Sequence, residues 1–162
     1  MAGIEEMRKI HVTFDTYADM CERLGKKIRK EKKKYDCVVA VARGGLLVGD
    51  ILSRMLKCPM AVISASSYQG ERAGKVLMSE VATTDPSHLL GDILLVDDLM
   101  DSGATLDCIQ RKLKDAYHPK SIDIAVLWHK HTSKTYPDYC VKYFDESENG
   151  WIVQPFEAFD VR

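Results

Sequence analysis

The chain has 162 residues, 46 % of them apolar, and 23 Lys and Arg stand against 24 Asp and Glu for a formal charge of −1. That is the length of one ordinary domain with enough apolar residues for a core. The charge balance argues against a general nucleic-acid binder, which would be strongly basic, and no apolar run approaches the roughly 20 residues of a membrane span.

The segment Met1–Arg8 has no signal-peptide apolar core. Thr13 is placed to cap a helix in which Phe14, Tyr17, Cys21, Leu24 and Ile28 recur at spacings of three and four. The run from Lys26 to Lys34 carries Arg29 and six lysines. It reads either as an RNA or acidic-partner patch or as a solvated last turn whose cations suit the negative helix end, and the near-zero net charge favours the second. Cys37–Ala42 is predicted as a buried strand, Arg43-Gly44-Gly45 as a tight turn, and a helix of about twelve residues follows. On that helix Asp50, Ser53, Arg54 and Lys57 form a polar stripe, with Leu47, Val48, Ile51, Leu52, Met55 and Leu56 covering the rest. Pro59 ends it, and Met60–Ala65 is the next strand. Ser66 to Gly74 is polar and holds two glycines, so a mobile loop is expected, and Lys75–Ala82 is an edge strand or hairpin arm.

The most informative stretch is Asp92 to Leu106. Four apolar residues, as in a buried parallel strand, run into Asp97-Asp98. Asp101 follows, and Ser102-Gly103-Ala104-Thr105 opens a helix. One acid could cap that helix, but capping hardly explains three. The small-residue turn frees backbone N–H groups at a helix N-terminus, which suits a phosphate. Acids for hydroxyls or a metal, beside amides for a phosphate, describe a phosphorylated sugar.

Leu106, Ile109, Leu113 and Ala116 give the helix, closed by His118-Pro119. Ile122, Ile124, Val126 and Trp128 alternate as a strand that delivers Lys130 at its end. In His129-Lys130-His131 a metal pair on one strand face is possible, but no third ligand is in sight, and two surface histidines are expected instead. Short β pieces follow around Tyr139–Phe144 and Trp151–Val153. Strands alternating with helices imply an α/β fold, a doubly wound and mainly parallel sheet flanked by helices. Ligands in such sheets bind at the carboxyl ends of the strands, where every candidate motif here falls. No Gly-x-Gly-x-x-Gly follows a strand, so a nucleotide-binding dehydrogenase has no support. The five scattered cysteines form no Cys-x-x-Cys pair and read as small apolar residues kept reduced in a cytosol.

The Asp97–Thr105 stretch resembles the signature of type I phosphoribosyltransferases, which bind 5-phosphoribosyl-1-pyrophosphate (PRPP) there. The resemblance covers about residues 36 to 157 and implies one domain over 1–162, with a core at about 36–130 and a small base-binding hood at 131–162. It implies that Asp97 and Asp98 take the ribose hydroxyls, directly or through Mg²⁺. Asp101, Ser102, Gly103, Ala104 and Thr105 would cradle the 5-phosphate. The family usually has Thr where this chain has Ser102, and the hydroxyl survives. Ala42-Arg43-Gly44-Gly45 resembles the family's pyrophosphate loop, with Arg43 and Gly44 on the pyrophosphate and a cis peptide expected between Ala42 and Arg43. Ser67 and Tyr68 belong to what resembles the mobile catalytic loop. Lys130, Trp151 and Ile152 resemble the purine site of the 6-oxopurine branch, because a lysine donates to a 6-oxo group and has nothing to accept from a 6-amino group. Glu157 stands where that branch has Asp, and with Asp98 it is a candidate for the metal.

The activity implied is transfer of phosphoribose from PRPP to N9 of guanine, xanthine or hypoxanthine, with Asp101 as proton acceptor and Mg²⁺ as cofactor. A cytoplasmic homodimer or homotetramer is expected, with no nucleic-acid partner. Two rival readings are a PRPP-sensing regulator of the same fold that binds nucleic acid, and a phosphoribosyltransferase for another base.

Overall fold

A computed structural model describes residues 8–67, 75–148 and 150–160. Six strands form the main sheet: β2 (Cys37–Ala42), β3 (Met60–Ser67), β4 (Val76–Met78), β5 (Asp92–Met100), β6 (Ser121–Lys130) and β7 (Tyr139–Phe144), in the order β4-β3-β2-β5-β6-β7. All neighbours are parallel except β3 and β4. The expected doubly wound sheet is therefore present, and the segment from Lys75 does supply an antiparallel edge strand. β1 (Lys9–His11) pairs in parallel with β8 (Trp151–Val153) as a separate two-stranded sheet.

Helices α1 (Phe14–Lys30) and α2 (Gly45–Leu56) cover one face, and α3 (Ala104–Tyr117) covers the other. The alternation of strand side chains makes both layers. Val38, Leu94, Val96, Ala125 and Leu127 pack with Leu24, Ile28, Val48 and Leu52, whereas Val39, Val41, Ile93, Leu95 and Val126 pack with Leu106, Ile109 and Leu113. The middles of these strands are apolar because both their faces are covered.

The Thr13 cap forms as expected, its Oγ1 accepting from the Thr16 N–H at 3.1 Å. Phe14 does not join the helix's buried stripe: it is 52 % exposed, and Met20 is buried in the stripe instead. Ser53 leaves the polar stripe of α2 and is buried, donating to the Asp50 carbonyl at 2.8 Å. On α3, Ala116 faces out. His129 is buried between Tyr136 and Tyr143, not a surface histidine, and burial lowers its pKa. The thiols of Cys21 and Cys37 are pushed up by burial to about 12 and about 11, as befits inert core groups.

β7 is the edge strand of the main sheet, β8 is the expected Trp151–Val153 piece, and its partner β1 is a strand the sequence pattern did not reveal. A three-residue strand is too short to show a period. The basic run ends α1 at Lys30, as the solvated-turn reading expects, and two of its cations are engaged within the fold. Lys27 donates to the Cys140 carbonyl at 3.1 Å and Lys33 pairs with Asp123 at 2.6 Å. Among the described residues no helix is long and apolar enough to cross a membrane.

Candidate active site

Backbone geometry at the carboxyl edge of the sheet is decided by the ends of the strand ladders. β5 pairs with β2 as far as Val96 and Ala40, and with β6 as far as Met100 and His129. From Asp97 onward β5 has no partner on the β2 side, so a cleft opens there. A cavity of about 460 Å³ is lined by Arg43, Gly44, Ser66, Asp97, Asp98, Asp101, Ser102, Gly103 and Thr105, among others. All of the predicted phosphosugar residues but Ala104 thus line one cavity, although Asp97 and Asp98 lie within β5 and not beyond its end. β3 also runs past Ala65 to Ser67, putting Ser66 on the cleft; Tyr68 lies outside the described residues.

Two helices start at this cleft, and their caps differ from that of α1. Gly44 and Gly103 are the N-cap residues of α2 and α3, and neither helix has a side-chain cap on its first turn. Ser102 Oγ reaches only the Ala104 N–H, at a long 3.3 Å. Two helix N-termini that lack side-chain caps and border one cleft are an anion-binding arrangement. Gly103 holds φ +82°, and a Cβ there would meet the Thr135 and Ser133 hydroxyls at 2.5 and 2.8 Å. Gly44 faces Asp98 so closely that a Cβ would lie 2.5 Å from Oδ1. The peptide between Ala42 and Arg43 is cis, as expected.

Asp97 accepts the Asp98 N–H at 2.8 Å on its own Oδ1. Burial first, and then the charge of Asp98, raise the Asp97 pKa well above the usual carboxylate range; burial also raises that of Asp98, with Glu157 adding to it. Such a pair is relieved by hydroxyl donors or by a cation. Among the described residues no three ligating side chains gather into a metal cage. Mg²⁺ commonly takes one or two carboxylates and completes its shell with substrate phosphates and water. The donor set of Asp98, with Glu157 lining the same small pocket, fits that use.

That second cavity, of about 100 Å³, is lined by Asp98, Leu99, Asp101, Lys130, Trp151, Ile152, Gln154 and Glu157. It shares Asp98, Leu99 and Asp101 with the larger cleft. Lys130 Nζ lies 3.4 Å from Asp101 Oδ2 and 5.9 Å from the centroid of the Trp151 ring, which is 52 % exposed and free to stack. Gln154 donates its backbone N–H to Glu157 Oε1 at 3.0 Å, fixing one oxygen of that carboxylate.

Sequence reasoning missed the segment after β6. Thr132 Oγ1 donates to Asp101 Oδ1 at 2.6 Å, and the Lys134 N–H reaches the Ser102 carbonyl at 3.4 Å. A threonine two residues beyond Lys130 was the only available signal, and a loop threonine by itself means little.

Comparison with known proteins agrees with this geometry. Residues 14–159 match the family described as phosphoribosyl transferase domain. A xanthine-guanine phosphoribosyltransferase of Vibrio parahaemolyticus is 31 % identical over 151 residues, covering 93 % of this chain and 90 % of its own. A xanthine-guanine phosphoribosyltransferase of Gluconobacter oxydans is 29 % identical over 151 residues, or 91 % and 83 % of the two chains. Among solved structures, a purine phosphoribosyltransferase of Pyrococcus horikoshii superposes with a TM-score of 0.77 at 33 % identity, covering 95 % of this chain and 97 % of the other.

Proposed function

The chain belongs to the phosphoribosyl transferase family, and from that premise we propose that it is a purine salvage enzyme. It transfers the 5-phosphoribosyl group of PRPP to N9 of a 6-oxopurine and releases pyrophosphate. The observation that carries this reading is the meeting of the two cavities at Asp101, with two uncapped helix N-termini on one side and Lys130 and Trp151 on the other.

In this reading the N–H groups and hydroxyls of Asp101 to Thr105 hold the 5-phosphate, while Asp97 and Asp98 hold the ribose hydroxyls. Arg43 and Gly44, with Ser67 and Tyr68, serve the pyrophosphate. Asp98 and Glu157 are the protein's ligands for Mg²⁺, whose chemistry when bound is to neutralise the leaving pyrophosphate. Trp151 stacks on the base, Ile152 borders it, and Lys130 donates to O6. The C1′–O bond to pyrophosphate breaks with its electron pair leaving on oxygen, and the N9–C1′ bond forms. The N7 proton of the base passes to the Asp101 carboxylate. Charge develops on the ribosyl carbon with little nucleophilic push, so position and electrostatics supply the catalysis.

The same reading takes 1–162 as one domain of a cytoplasmic homodimer or homotetramer. Initial-rate assays with PRPP and each of guanine, xanthine, hypoxanthine and adenine test the activity. Turnover with at least one 6-oxopurine and none with adenine is expected. Turnover with adenine alone would reassign the base site, and an RNA gel shift without any turnover would favour the regulator instead.

A further inference from the structure

We infer that Thr132 is a positioning residue for the proton-accepting carboxylate of Asp101, an inference that rests on the purine-transfer reading above. The two oxygens of that carboxylate are held from one short piece of chain. Lys130, the last residue of β6, lies 3.4 Å from Oδ2, and Thr132, two residues on, donates to Oδ1 at 2.6 Å. The threonine hydroxyl also lies 3.1 Å from the Asp101 backbone carbonyl. It has one proton, and the shorter contact goes to the charged oxygen. The piece of chain is itself fixed at three points: the Ser133 N–H on the Lys130 carbonyl at 3.1 Å, the Lys134 N–H on the Ser102 carbonyl, and the His131 N–H on the Phe144 carbonyl at 2.8 Å.

The two grips have different fates during the reaction. O6 of an incoming base draws on the Lys130 ammonium, which loosens its hold on Oδ2. Thr132 does not itself line the base pocket, so its hold on Oδ1 persists. An otherwise exposed aspartate would then swing about χ2 at the moment it must face N7. Thr132 keeps it turned. The consequence is a residue whose loss is felt in turnover and not in the binding of either substrate.

The test is initial-rate kinetics of Thr132→Val and Thr132→Ser, each made in the wild-type and in the Asp101→Asn chain. Thr132→Val, nearly isosteric and on the surface, should lower kcat roughly tenfold, the worth of one hydrogen bond to a charged group. KM for PRPP and for guanine should stay near wild type. Thr132→Ser should restore most of the rate. In the Asp101→Asn background Thr132→Val should cost nothing further, because the two act as one unit. An unchanged kcat in Thr132→Val overturns the inference, as does the same fold loss in both backgrounds or a rise confined to the PRPP KM. Absence of turnover by the wild-type chain with every 6-oxopurine is a different result, which removes the purine reading and this inference with it.

Discussion

The two halves of the site are built on different plans. The PRPP half comes from consecutive residues at the ends of β2 and β5 and from the helices that start there, so its groups are fixed by the sheet's own ladders. The base half is assembled from the end of β6 and from β8, whose only strand partner among the described residues is β1. The first half is a property of the fold, while the second rests on a small appendage. Binding of the donor should therefore be hard to alter without harm to the sheet, and choice of acceptor should be easy to alter.

The comparison is tested most severely at its junction. Asp101→Asn should lower kcat by roughly 10²- to 10⁴-fold, the usual worth of a positioned proton acceptor, while PRPP affinity measured by direct binding stays near wild type. If PRPP affinity falls as far as turnover, Asp101 belongs to the PRPP half alone. Next in size, Lys130→Ala should reduce kcat/KM for guanine and hypoxanthine alike by roughly 30- to 100-fold, reflecting a lost charged hydrogen bond. Retained activity would take O6 recognition away from this residue. Trp151→Ala should raise the KM for the base by roughly 5- to 30-fold, in keeping with stacking worth about 1–2 kcal/mol, and leave the PRPP KM unchanged. A raised PRPP KM would show that the halves are not separable.

The smallest effect expected is one of stability. Asp97 holds its proton more tightly in the folded chain than in the unfolded one, chiefly because it is buried and then because Asp98 is beside it. Stability is then lost as pH climbs from the unfolded carboxylate range towards the raised folded value, and at neutral pH the pair is a net cost. Asp97→Asn keeps the acceptor for the Asp98 N–H and removes one charge. It should raise Tm by roughly 2–4 °C, the shift that about 1 kcal/mol gives in a domain of this size, while PRPP affinity falls. Thermal melts at pH 5 and pH 8 check the sign: the gain should be larger at pH 8.

This division also explains what could be read from the chain in advance. The PRPP half was legible because its chemistry is contiguous: an apolar run, three acids and a small-residue turn lie within Asp92–Thr105. Strands β2, β3 and β5 were legible because parallel strands covered on both faces are nearly all apolar, and β6 because Ile122, Ile124, Val126 and Trp128 alternate. The register of Asp97 and Asp98 within β5 was not, since only the unequal lengths of β2 and β6 place the cleft beside them. β1 was hidden because Lys9-Ile10-His11 has no pattern until it meets β8. Thr132 was hidden for a similar reason: its meaning lies in Asp101, 31 residues earlier in the chain. His129 looked like a surface residue because a histidine among polar neighbours gives no hint of the two tyrosine rings that enclose it.

The pairing of Lys9 with Trp151 joins residues 142 positions apart. A ladder of three residue pairs spanning so much chain closes a very long loop for little return, so it should form late in folding and open early under mild denaturant. Amide hydrogen exchange would then find the tryptophan strand trading protons well before β2 or β5. An enzyme in that half-open condition would still grip its sugar donor yet have nothing to set a purine against, so the acceptor should be the first substrate lost as the molecule is warmed.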